Sequence, residues 1–157
     1  MENDRLFVYG TLLPGLAPPD LVPILSRIGE GRECSVGGLL FDFGPYPGLV
    51  VHPACILSPS AAAHRLRFES AWSQARLQLC PVDELKDASR SVRGLFHELP
   101  GEPSILAALD EYEGCDFDRI LVEVQSVEGE DLTAWVYVIS RVPASAKLVE
   151  SGSYLDR

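Results

Sequence analysis

Hydrophobic residues along this chain come in short bursts with a two-residue period more often than in long helical stripes. Leu6–Tyr9, Ser35–Phe41, Leu49–Leu57, Val92–Leu99, Ile120–Val127 and Thr133–Ser140 are rich in β-branched and aromatic residues and bounded by Gly, Pro or charged turn residues. Each predicts a strand. In the fifth, Glu123 and Gln125 alternate with apolar neighbours, the pattern of a strand with one face in the core. Gly129-Glu130-Asp131 then predicts a hairpin turn into Ala134–Ile139.

Helical spacing is rarer. Pro103–Tyr112 predicts a helix, because Pro103 suits the first helical position and Gly114 the C-terminal cap. Pro19–Ile28 predicts a shorter one, limited by Pro23. The segment 58–90 reads two ways. Phe68, Trp72, Ala75 and Leu79 have helical spacing, yet Arg65–Glu69 and Ala75–Leu79 alternate like two strands. Many strands around one or two helices imply an α+β fold, a small mixed β-barrel-like sheet within one domain spanning 1–157.

Composition narrows the setting. A chain of 157 residues, 46% hydrophobic and 23% charged, buries a core of its own as a globular domain. No apolar run approaches the ~20 residues needed to span a bilayer. Met1–Arg5 is acidic and leads directly into a strand, so no signal peptide is expected and a cytoplasmic location is. A net charge of −10 argues against nucleic acid and anionic membranes as partners, and solubility is its simplest reading.

Cys34, Cys55, Cys80 and Cys115 are scattered without a C-x-x-C, and His52, His64 and His97 are equally isolated, so no metal-ligand spacing is present. The cysteines are expected as small buried hydrophobes. Cys115 alone, two residues past Glu113, leaves a reactive thiol as a second reading.

Two short segments carry candidate chemistry. Leu109–Gly114 is a helix end with three carboxylates, at Asp110, Glu111 and Glu113. At about 100° per residue, Glu113 falls on the apolar arc of Ile105, Leu106 and Leu109, Glu111 points the opposite way and Asp110 sits at the margin. A carboxylate on a buried stripe is costly unless it has a partner or a role, and desolvation raises its pKa toward the range of proton transfer. The alternative is a Glu113 beyond the last turn, pointing to solvent. The other segment, Tyr9-Gly10-Thr11-Leu12, is a strand end at a glycine, able to expose consecutive N–H donors, or an ordinary turn. No phosphate-loop lysine follows it. Tyr137 alternates with Trp135 and is expected in the core.

Val8–Leu12 (VYGTL), Tyr46–Val50 (YPGLV), Val92–Leu99 (VRGLFHEL) and Leu109–Gly114 (LDEYEG) occur in the order seen in γ-glutamylcyclotransferase-like proteins, which include the γ-glutamylamine cyclotransferases and the AIG2-like group. The chain resembles that family over roughly residues 5–57 and 92–140. The resemblance implies that Glu113 is the catalytic glutamate and that Tyr9, Gly10, Thr11 and Leu12 line the γ-glutamyl pocket. Tyr46-Pro47-Gly48 is a candidate second wall. It implies a small-molecule γ-glutamyl substrate, no metal or organic cofactor, and cyclisation that releases 5-oxoproline and a free amine.

Two features depart from the family pattern. Segment 58–90 is longer than the usual connection there, an insert that shapes the substrate entrance, elaborates the surface or forms a dimer contact. Phe117-Asp118-Arg119 also stands where relatives commonly have a tyrosine two residues before an arginine. Two further readings accompany the enzyme: a non-catalytic binder of a small ligand or protein, and a biosynthetic enzyme that removes a γ-glutamyl protecting group.

Overall fold

The alternating segments close into a barrel. A computed structural model describes residues 5–10, 13, 17–44, 46–58, 62–76, 91–101, 103–143 and 145–154. Its strands are β1 (Arg5–Val8), β2 (Arg32–Asp42), β3 (Pro47–Val51), β4 (Ser91–Glu98), β5 (Phe117–Ser126), β6 (Asp131–Ile139) and β7 (Lys147–Leu148). The order is β3-β2-β4-β1-β6-β5, and β2 also pairs with β5 through Cys34 and Ser35. That pairing joins β2, β4, β1, β6 and β5 into a closed ring of five strands, which removes the open sheet edges. The β1–β6 contact is parallel and the other pairings are antiparallel.

Strand β2 serves two partners in succession. Its first half, Arg32–Gly37, pairs with β4, and its second, Gly38–Asp42, leaves the barrel to pair with β3. Inward residues such as Phe7, Val36, Val92, Phe96, Val122, Val124 and Val136 fill the barrel. Strand β1 is apolar on both faces because both are covered. Phe7 points into the barrel, while Leu6 and Val8 lie outside it in a second cluster with Ile105 and Leu109. Those two residues belong to the helix Pro103–Glu113, which therefore packs on the outer face of β1.

Three helices flank the barrel among the described residues: α1 (Val22–Leu25), α2 (Ala62–Arg76) and α3 (Pro103–Glu113). Helix α3 starts at Pro103 and stops where Gly114 takes φ 69°, the left-handed cap its sequence predicts. Helix α2 decides the first part of 58–90. Ala71 and Ala75 are buried against Phe41, Val50 and Ile139, with Phe68 and Trp72 beside them, so the helical spacing prevails over the strand-like alternation of 65–69. On the same helix, buried His64 accepts the Val51 N–H through Nε2 at 2.9 Å. Leu79 and the rest of 77–90 lie outside the described residues.

Other expectations need correction. The predicted strand 49–57 ends at Val51, because Pro53 has no N–H to give a ladder. A 3₁₀ turn, Pro53–Cys55, follows, with His52 Nδ1 accepting the Ala54 N–H at 3.1 Å. Predicted helix 19–28 is a 3₁₀ turn, Pro19–Leu21, followed by the single turn of α1, since Pro23 is tolerated only near a helix start. Strand β7 is too short to leave a pattern. Cys34 is buried and Cys55 half-buried, but Cys115 is exposed rather than core, and Cys80 lies outside the described residues. No described helix is long and apolar enough to cross a membrane.

Candidate active site

The ends of β1 and α3 meet at a cavity of about 290 Å³. On one side the chain leaves β1 through Tyr9 and Gly10. On another lies Tyr46-Pro47, at the start of β3. The last turn of α3 supplies Tyr112 and Glu113, and β5 and β6 supply Phe117 and Tyr137.

Gly10 is dictated by close approach. A Cβ there would overlap Pro47 Cγ, so the strand end lies against the proline only because the side chain is absent. The Gly10 carbonyl accepts the Leu13 N–H at 2.9 Å, which turns the chain away from the barrel. Gly10→Ala is therefore expected to force Pro47 aside, at a cost of about 1–3 kcal/mol in chemical denaturation. An unchanged denaturation midpoint would show that this contact is slack. Thr11 and Leu12 lie outside the described residues.

Glu113 is the last residue of α3, half-buried and facing the cavity, while Glu111 is exposed on the other side of the helix. Burial raises the Glu113 carboxyl from the ordinary 4.5 to about 7. No Lys, Arg or His is among the described lining residues to hold the charged form. The group thus exchanges a proton near neutrality, which is what an acid/base role requires.

Tyr9 lines the cavity, but its hydroxyl is engaged with backbone. It donates to the Tyr137 carbonyl at 2.6 Å and accepts the Leu49 N–H at 3.3 Å, tying β1 to β6 and β3. Burial, reinforced by the Glu113 charge, pushes the phenol far above its usual range, so it stays protonated. Tyr46 and Pro47 line the cavity, whereas Gly48 does not. The Phe117 ring packs on Tyr46 with centroids 5.8 Å apart.

Two residues acquire a place that the sequence reading did not assign. Tyr137 is buried, as expected of a core residue, yet it also lines the cavity, and its hydroxyl donates to Asp110 Oδ1 at 2.6 Å. Asp110 in turn accepts two bonds from Arg119, at 2.9 and 3.2 Å, and that guanidinium lies 4.6 Å from the Trp135 ring centre. Arg119 and Tyr137 pair across β5 and β6. The spacing of Asp110 one turn before Glu113 was visible; the strand register that brings Arg119 and Tyr137 to it was not.

Exposed Cys115 does not line the cavity, so the reactive-thiol reading has no place in this site. Nor does any residue of α2, so the described part of the 58–90 insert packs on the barrel rather than at an entrance. Among the described residues no three His, Cys, Asp or Glu side chains are grouped as a metal ion would need.

A family model described as gamma-glutamyl cyclotransferase, AIG2-like matches residues 61–156, a span that contains Glu113, Phe117 and Tyr137 but not Tyr9–Leu12 or Tyr46-Pro47. No curated protein matches the chain. Among solved structures it is similar to YkqA from Bacillus subtilis, with a TM-score of 0.60 and 17% identity over 98% of this chain and 40% of that one. The chain thus spans well under half of YkqA. It is similar to PH0828 from Pyrococcus horikoshii, with a TM-score of 0.55 and 16% identity over 96% and 88%. An AIG2-like protein from Mus musculus gives a TM-score of 0.56 and 18% identity over 89% and 79%. At such identities the likeness is one of fold.

Proposed function

This chain belongs to the gamma-glutamyl cyclotransferase, AIG2-like family, and we propose that it cyclises the γ-glutamyl group of a small γ-glutamyl amine or peptide, releasing 5-oxoproline and a free amine. The supporting observation is Glu113: a carboxyl that titrates near pH 7, facing a small cavity beside a strand end cleared of side chain at Gly10. The substrate's α-amine attacks its own γ-carbonyl carbon and closes a five-membered ring. Nucleophile and electrophile share one molecule, so the site has only to hold the folded conformer. Glu113 takes a proton from the α-ammonium and returns one to the departing amine as the C–N bond breaks. The backbone at Gly10, on the cavity wall, would receive the charge that develops on the γ-carbonyl oxygen or hold the α-carboxylate.

A panel of γ-glutamyl amines and peptides, assayed for 5-oxoproline, tests the reading. Release from at least one member is expected, and release from none removes it. The pH dependence gives a second check. The base form of Glu113 is needed, so kcat/KM should fall tenfold per pH unit below about 7 and level off above it. A limb near 4.5 would mean that the working carboxylate is solvated, and therefore not Glu113.

A further inference from the structure

The Asp110–Arg119–Tyr137 group stands one helical turn from Glu113 and is not used by the mechanism above. Arg119 binds Asp110 through two N–H groups and stacks on Trp135. A guanidinium only donates, and a carboxylate paired with it only accepts. The proton between Asp110 Oδ1 and the Tyr137 oxygen, 2.6 Å apart, therefore belongs to the phenol. Burial and the Asp110 bond keep Tyr137 protonated, with the Glu113 charge adding to the effect, which places the two cavity groups within electrostatic reach.

A phenol has one proton. With that proton directed at Asp110, the oxygen has only lone pairs to offer a ligand in the cavity that Tyr137 lines. Glu113 also accepts. The Asp116 carboxylate, which also lines the cavity, is a further acceptor. These acceptors, with no cationic side chain among the described lining residues, suit a primary ammonium, which brings three N–H donors. We propose that Asp110 locks the Tyr137 hydroxyl as a hydrogen-bond acceptor for the substrate's α-ammonium, so that Tyr137 orients the nucleophile while Glu113 removes its proton. Tyr137 is then a substrate-contacting residue, and Asp110 a positioning residue that acts through it. The α-amine as ligand rests on the proposed cyclisation; the direction of the phenol's proton rests on the geometry alone.

The test is a double-mutant cycle in kcat/KM on a γ-glutamyl compound that the wild type cyclises. Tyr137→Phe and Asp110→Ala, which leaves the phenol's proton without its acceptor, should each lower it roughly tenfold or more. The double variant should fall no further than the worse single one, because both changes remove the same acceptor. Losses that multiply would show Asp110 supporting only the helix and overturn the proposal, as would unchanged kinetics in Tyr137→Phe. A binding arm separates this from the proposed reaction. Calorimetry compares L-glutamine with glutaramic acid, which lacks the amine. The wild type should prefer glutamine, and Tyr137→Phe should narrow that preference roughly tenfold. Equal wild-type affinities, or a preference untouched in Tyr137→Phe, overturn the proposal whether or not 5-oxoproline is formed. A Tyr137-dependent preference in a protein that releases no 5-oxoproline upholds the amine site and refutes the reaction.

Discussion

Glu113→Gln should lower kcat by about a hundredfold or more in a protein that remains folded, because the change is nearly isosteric and removes only the titrating group. It should also stabilise the fold, in a pH-dependent way. The Glu113 carboxyl titrates at about 7 in the folded protein against an ordinary 4.5. Below 4.5 it is neutral in both states and costs nothing. Between 4.5 and 7 the unfolded state releases the proton while the folded state retains it, so stability on the order of 3 kcal/mol is lost across that window. It stays lost above 7, where the folded state carries a half-buried charge. Glutamine escapes that loss, so the variant should unfold at a higher temperature than the wild type at pH 8.5 and at about the same temperature at pH 4. Such a gain at the expense of activity is common at sites that hold a disfavoured charge. Exposed Glu111, substituted in the same way, should change neither property. A Glu113→Gln protein with near wild-type turnover would remove the assignment, whatever its stability.

Acylating the substrate's α-amine should abolish turnover rather than reduce it. That nitrogen supplies the new bond to the γ-carbonyl carbon, and an amide nitrogen has no free lone pair for the attack. Changes on the leaving amine should instead alter rates by degrees, since ring closure involves only the glutamyl half. The contrast is read from 5-oxoproline release on matched pairs of compounds. Release of the amine from an N-acylated substrate would mean that some other nucleophile opens the bond, and the intramolecular route would fall.

The parts legible in the sequence are those in which a local pattern and its tertiary setting agree. The Glu123/Gln125 alternation marks β5 because one face of that strand is covered and the other is not. Pro103 and Gly114 bracket α3 by the backbone conformations they favour, and the helical arc places Glu113 inward and Glu111 outward. The strand reading of 65–69 failed because alternating Arg and apolar residues also fit a helix whose apolar side is held by small residues, Ala71 and Ala75. The run after Val51 has the β-branched content of a strand, but the missing N–H of Pro53 ends the ladder there. Strand alternation places Tyr137 in the core, where it is buried, and says nothing of its hydroxyl. Its contact with Asp110 depends on the register of β5 against β6 and on how α3 sits across both, and neither is written in a local window. The same holds for Gly10, whose need for a bare backbone comes from Pro47, far along the chain.

Isotope balance in H₂¹⁸O tests the central claim most directly. The wild type is incubated with the best γ-glutamyl compound of the panel, and every product is weighed by mass spectrometry. Intramolecular aminolysis consumes no water, so 5-oxoproline and free amine should appear in equal amounts, both unlabelled. Glutamate carrying ¹⁸O in its γ-carboxylate would contradict the account, for the Glu113 cavity would then be activating water rather than the substrate's own amine.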